Sequence, residues 1–121
     1  TELQAGKKKT HWMWFIFPQI SGLGRSDKAV FYSIRSREEA VAYLDHVTLG
    51  PRLRECVGEI LKVKGKTADQ IFGTVDSAKL RSSLTLFDQV EAKKEFDSAL
   101  QRFFDGKRDM RTLEILNEMT K

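Results

Sequence analysis

Apolar residues recur at intervals of three and four along most of this chain, bounded by helix-capping signatures, and that pattern leaves room for little besides helices. Ser36-Arg37-Glu38-Glu39 has the form of a capping box and predicts a helix to about His46, with Ala40, Tyr43 and Leu44 at helical spacing. A second helix is expected from Leu49 to about Lys64. Pro51 is tolerable there only in the first turn, Leu53, Val57, Ile60 and Leu61 form the apolar face, and Gly65 supplies the stop. Thr67-Ala68-Asp69-Gln70 is a second capping box, opening a short helix that ends at Gly73.

Asp76 is expected to cap a segment running to about Val90, with Leu80, Leu84, Phe87 and Val90 on one side. Phe96, Leu100, Phe103 and Phe104 mark a further amphipathic helix stopped by Gly106. Asp109 opens the last, which carries Leu113 and Leu116, and Ser26 is placed to cap a segment through Ile34. No stretch alternates at period two, and no Asn-Gly hairpin signal is present. The fold class expected is all-α: a single compact domain over residues 1–121, with about six to seven short-to-medium helices around one core.

The front of the chain, KKKTHWMWFIFPQ from Lys7 to Gln19, tests that reading. A basic triplet runs into the densest aromatic stretch and stops at Pro18. The apolar run Trp12–Phe17 is far shorter than the ~20 residues of a membrane-spanning helix, and no small-residue cleavage site follows it. Aromatics and bases also combine in single-stranded nucleic-acid sites, but there they are interleaved on an open surface. A segment apolar on nearly all sides is usually buried centrally, so a helix at the core's axis is expected here.

With 121 residues, 40% hydrophobic and 31% charged, the chain has the composition of one soluble globular domain. A formal charge of +4 favours an acidic partner in general, but Lys and Arg alternate with Asp and Glu almost everywhere. That argues against nucleic acid as a partner, and no membrane partner is expected. The single cysteine, Cys56, suits a reducing compartment, and the cytoplasm is the expected location. Oligomeric state is not legible.

His11 and His46 have no His or Cys at ligand spacing, so no metal and no cofactor are expected. Cys56, beside Val57, reads as a small buried hydrophobe. The loop Ile20–Ser26 carries Gly22, Gly24 and Arg25 ahead of a helix cap, an arrangement able to meet a phosphate. It matches neither phosphate-loop fingerprint and reads better as a structural turn. More suggestive is Asp76–Phe87: on a helix, Lys79 aligns with Ser82 and Ser83 at i+3 and i+4, and Thr85 follows. Two accounts fit. The hydroxyls orient an anion held by Lys79 in a pocket wall, or they bond back to carbonyls one turn earlier at a close helix contact.

The segments HWMWFIFPQI at 11–20, GLG at 22–24, EEAVAYLDH at 38–46, LGPRL at 49–53, IFG at 71–73, KLRSSLTLF at 79–87 and FFDGKRDMRTL at 103–113 carry a family likeness. On these the chain resembles the domain of unknown function 1810 family, uncharacterised bacterial proteins sometimes mislabelled calpastatin. The resemblance covers almost the whole chain and implies a mainly helical fold, with no activity, cofactor or catalytic residue to carry over. Members of that family have a further helical segment before the Glu-Leu-x-x-Gly-Lys-Lys stretch, whereas this sequence opens at Thr1-Glu2-Leu3, so the family's first helix is expected to be missing.

The polar residues of these segments nominate a candidate pocket: His11, Trp12, Trp14, Gln19, Ser26, Tyr32, His46, Lys79, Ser82, Ser83 and Thr85. The first function this suggests is binding of a small anionic, nucleotide-like or phosphorylated ligand between the aromatic segment and the Lys79–Thr85 helix. Lys79 takes the anion, a Trp stacks and His11 exchanges a proton. The alternative is a non-catalytic protein–protein adaptor in which the same polar residues form a satisfied buried network. No pair in the sequence forms a nucleophile–base or paired-carboxylate arrangement, so no reaction is predicted.

Overall fold

The Ser36 hydroxyl accepts the Glu39 N–H at 3.0 Å and opens the first helix of the computed structural model, which describes residues 17–23, 32–91 and 94–119. Helix α1 spans Arg37–Asp45. The return half of its capping box is displaced by one residue: the Glu39 carboxylate takes the N–H of Arg35. Helix α2, Leu49–Leu61, follows after a tight connection. It ends three residues before the sequence pattern suggested, and Val63 just beyond it packs, partly buried, against the core.

At α3, Ala68–Phe72, both halves of the capping box form, with Gln70 N–H to Thr67 Oγ1 at 3.2 Å and Thr67 N–H to Gln70 Oε1 at 2.8 Å. Gly73, at φ 82, ends α3 and immediately opens α4, Thr74–Val90. Asp76 is therefore not the cap expected from sequence but a first-turn residue, where its carboxylate still faces the positive helix end. Helix α5, Lys94–Phe104, turns through Asp105 and Gly106, both at positive φ, into α6, Met110–Met119.

The expected helix from Ser26 through Ile34 does not reach its end. Residues Tyr32–Ile34 are non-helical, and Ile34 forms a parallel bridge with Ile20. Ser21 donates to the Ile34 carbonyl at 2.7 Å and Ile34 donates to the Gln19 carbonyl at 2.8 Å. The bridge follows directly after Pro18, which has no backbone N–H to donate to a helix. Ser26 and the rest of 24–31 lie outside the described residues, as do residues 1–16, so of the helix expected at Trp12–Phe17 only Phe17 is described, fully buried and non-helical.

Six helices are thus described, and α4 is the one the others pack around: α1, α3, α5 and α6 all lie against it. Among the described elements α4 is central to the core, and the expectation of a central aromatic helix at Trp12–Phe17 falls, except for Phe17, outside the described residues. Residues 82–87 of α4 are all buried, although an apolar stripe on one side was expected. The other helices contribute Leu44, Leu53, Val57, Ile60, Phe72, Phe96, Leu100 and Leu116, and Phe17 meets Phe72 edge-on at 6.3 Å. Helices α2 and α5 run side by side in the same direction. Arg54 in the first half of α2 reaches Glu95 at the start of α5, and Arg102 near the end of α5 donates to Val63 O just past α2. No described helix is long and apolar enough to cross a membrane.

Candidate functional site

Helix α4 enters the protein N-terminus first from the surface, and its polar residues grade inward. Thr74, Val75 and Ala78 are exposed on the outer side of its first turns. Asp76 and Lys79 lie at the rim, their side chains 19% and 30% exposed, with Lys79 Nζ 3.6 Å from Asp76 Oδ1. One turn deeper, Ser82 and Ser83 are buried. An ion pair this exposed is worth only ~0–1 kcal/mol, so it holds the lysine's orientation more than it holds the fold.

Ser82 is fully engaged. Its hydroxyl donates to Lys79 O at 3.0 Å, the one-turn back-bond that serines make in helices, and accepts the side-chain amide of Gln19 at 2.7 Å. That second bond seats the end of the 17–23 segment beside the Lys79 turn. The Gln19 residue is half-buried, and its Oε1 makes no bond among the described residues. Ser83 differs from its neighbour. It is 0% exposed, and its Oγ has no hydrogen-bond partner among the described residues. On the helix it shares a face with Asp76 and Lys79, seven and four positions earlier.

Thr85, expected to belong to the same wall, belongs to another network. Its Oγ1 donates to Arg81 O at 2.8 Å and accepts the Asp109 N–H at 2.9 Å. Asp109 in turn caps α6, accepting the Thr112 N–H at 2.9 Å and the Thr112 hydroxyl at 2.6 Å. Beside it Arg108 spans two helices, reaching Asp97 Oδ1 at 2.7 Å and Asp88 Oδ2 at 3.0 Å. The hydrogen bonds it donates to Asp97 and then to Asp88 raise the guanidinium's pKa and hold its charge. This network accounts for Arg108, Asp109 and Thr112 of the 103–113 segment and for Thr85 as architecture.

His46 is also architectural. Its Nδ1 accepts the backbone N–H groups of Thr48 and Leu49 at 3.1 and 3.2 Å, capping α2, whose formal cap Thr48 supplies no side-chain bond. The ring is exposed and makes no described contact with the Lys79 face. Tyr32 sits two residues before Ile34, on the segment bridged to Gln19–Ser21. His11, Trp12, Trp14 and Ser26 lie outside the described residues.

Of the nominated residues, then, Gln19, Lys79, Ser82 and Ser83 come together. The sequence reading did not assign Asp76 to this group, although its i, i+3 spacing from Lys79 was the available signal. Cys56 is packed against the core from α2. Burial, and then the Glu55 charge, push its thiol up, so it is held neutral rather than activated. Among the described residues no three His, Cys, Asp or Glu side chains gather as a metal site would need.

Residues 1–116 match the family described as protein of unknown function (DUF1810), the one its signature segments suggested. The structure is similar to the crystal structure of the conserved hypothetical protein Rv1873 from Mycobacterium tuberculosis, with a TM-score of 0.94. The two sequences are 50% identical, over 96% of this chain and 84% of that one. No curated protein matches the chain.

Proposed function

The chain belongs to the DUF1810 family, whose description carries no activity, and we propose from the site itself that it is a binding domain for a small anionic ligand held on the Asp76–Ser83 face of α4. The observation that supports this most is the Ser83 hydroxyl, fully buried and without a hydrogen-bond partner among the described residues, one turn inward from a lysine at the surface. A buried hydroxyl left unbonded costs ~1–3 kcal/mol, a penalty that a ligand-binding role explains and a purely structural one does not. Lys79 supplies the charge at the rim, and the Gln19–Ser82 bond fixes the 17–23 segment beside it. A location in the cytoplasm is part of this proposal.

The adaptor alternative is less well supported. The most exposed large apolar residues, Val47, Val75 and Met110, belong to the α1–α2 connection, α4 and α6 respectively, and suggest no single docking face. A thermal-shift screen against nucleotides, sugar phosphates and other anionic metabolites tests the reading. A compound that raises the melting temperature of the wild type but not of Lys79→Ala is the expected result. Compounds that stabilise both proteins equally, or none that stabilises the wild type, would overturn it.

A further inference from the structure

We infer that His46 is a pH-sensitive cap, holding the corner between α1 and α2 while its Nδ1 is unprotonated and releasing it when the ring takes up a proton. Its backbone is extended, at φ −65 and ψ 135, and its carbonyl accepts the Gly50 N–H at 3.2 Å, as the residue that starts a helix does. Its Nδ1 accepts the N–H groups of Thr48 and Leu49, two and three residues on, at 3.1 and 3.2 Å. Serine, threonine, asparagine and aspartate make these bonds at most helix starts. The same residue also ends α1, donating its own N–H to Tyr43 O at 3.3 Å. One side chain thus stands at the joint of two helices. Thr48 supplies no side-chain bond, and the first turn of α2 carries no acidic residue to share the task.

An imidazole protonated on both nitrogens is a donor only. Protonation therefore removes both acceptances at once and sets a positive charge against the positive end of α2. The folded chain loses these bonds on taking up the proton, whereas the unfolded chain has none to lose. The cap's contribution is thus complete at the higher pH and is lost as pH falls from 8 to 5, the range in which histidines change charge. Around the ring, α1 brings Asp45 and Tyr43, and α2 brings Arg52 and Arg54. Arg54 donates to Leu44 O and draws in Glu91, just past α4, and Glu95 on α5. These charges attract or repel the ring's proton, but none gives the two amides another acceptor among the described residues. By contrast, α1 and α3 are capped by the hydroxyls of Ser36 and Thr67, which do not titrate. Acid therefore singles out the α1–α2 corner over those two helix starts.

Nuclear magnetic resonance of the full chain between pH 8 and pH 5, with thermal melts of two variants, tests this. At pH 8 the ring nitrogen shifts should show Nδ1 unprotonated. The amide shifts of Thr48 and Leu49 should then move together with the ring's own titration. Protection of the Gly50 amide from hydrogen exchange should fall about 2- to 30-fold over the same range, the equilibrium equivalent of losing one capping side chain. In His46→Asn the side-chain oxygen takes the position of Nδ1 without titrating, whereas in His46→Gln the amide reaches past it. His46→Asn should melt close to the wild type at pH 8 and about 4 °C above it at pH 5. His46→Gln should melt below the wild type at pH 8. Because each variant is compared with the wild type at the same pH, acid effects on carboxylates elsewhere cancel. Thr48 and Leu49 amides blind to the ring's titration would overturn the proposal. So would a gap between His46→Asn and wild type that is the same at both pH values, or His46→Gln melting like the wild type at pH 8.

Discussion

The side-chain amide of Gln19 donates to the hydroxyl of Ser82 at 2.7 Å, joining two points 63 residues apart in sequence. It is the described side-chain bond that ties the end of the aromatic segment to the central helix. Gln19→Ala should destabilise the protein by ~0.5–1.5 kcal/mol, the usual net worth of a partly buried bond. A double-mutant cycle with Ser82→Ala, read by chemical denaturation, should show a positive coupling energy. Additive single-mutant effects would mean that the two residues do not meet in solution.

Ser83→Ala should do the opposite of a normal core truncation. The hydroxyl has no partner to lose, the methyl side chain remains, and alanine is the better helix former, so the unliganded protein should gain ~1–2 kcal/mol. The same substitution should weaken any Lys79-dependent ligand. Stability rising while binding falls is the behaviour of a group kept for function. A lower melting temperature in Ser83→Ala would show that the hydroxyl is satisfied internally.

The two glycines of α2 should respond differently to alanine. A Cβ on Gly50 would overlap the carbonyl of Leu44, where α2 crosses close to the end of α1, and backbone on both sides leaves little room to yield. Gly50→Ala should therefore cost ~1–3 kcal/mol or more, as overpacking does. Nothing lies within 4 Å of a Cβ on Gly58, in mid-helix. Gly58→Ala should stabilise the protein by about 1 kcal/mol through helix propensity alone. Parallel urea titrations of the two variants would check both signs.

Local structure was legible in the sequence wherever a residue's partner lies within one helical turn. The Thr67 and Gln70 capping box forms in full, Ser36 and Asp109 cap their helices, and Gly73 and Gly106 stand at the breaks. The helix class follows from the same short-range pattern. What misled was any residue with two roles open to it. Asp76 looked like a cap and is an ion-pair partner, because the freedom of Gly73 lets α4 begin two residues earlier. Ile34 looked like the end of a helix and is a bridge residue, a pairing with Ile20 that no local signal announces.

The hydroxyl cluster of α4 shows why the candidate site was only half legible. Spacing put Ser82, Ser83 and Thr85 near Lys79, but their fates are decided by residues far away. Gln19 takes Ser82, Asp109 takes Thr85, and no described residue takes Ser83. The back-bonding account offered by the sequence holds for Ser82 and Thr85, each of which donates to a carbonyl one turn earlier. Arg108 escaped notice for the same reason, since its partners Asp88 and Asp97 are 20 and 11 residues away.

Arg108→Ala should destabilise the protein more than an ordinary surface ion pair would suggest. Asp88 is only 10% exposed and would lose its guanidinium partner, and the α4–α5–α6 junction would lose a bond to each of two helices. A loss of ~1–3 kcal/mol is expected, with Arg108→Lys recovering only part of it, because an ammonium cannot reach both carboxylates in a fixed fork. Equal stability of Arg108→Lys and wild type by thermal denaturation would argue against the two-carboxylate geometry.

Alkaline titration should expose the α1–α2 contact. Burial is the main cause that raises both the Tyr43 phenol and the Cys56 thiol, from ordinary values of 10.0 and 9.0, with Arg52 opposing the shift at each. In both cases the folded protein holds its proton more tightly than the unfolded chain does. Their contribution to stability is therefore complete below pH 9 and is lost as pH rises through the ordinary values toward the raised ones. The melting temperature should fall above pH 9, and Cys56→Ala should remove the earlier part of that fall while leaving the tyrosine part. The same shift predicts slow alkylation of native Cys56 by iodoacetamide at pH 7, accelerating above pH 9, since the thiolate is the reacting species. Rapid modification of the folded protein at neutral pH would mean an open, activated thiol, contrary to its packing against the core beneath Tyr43 and Arg52.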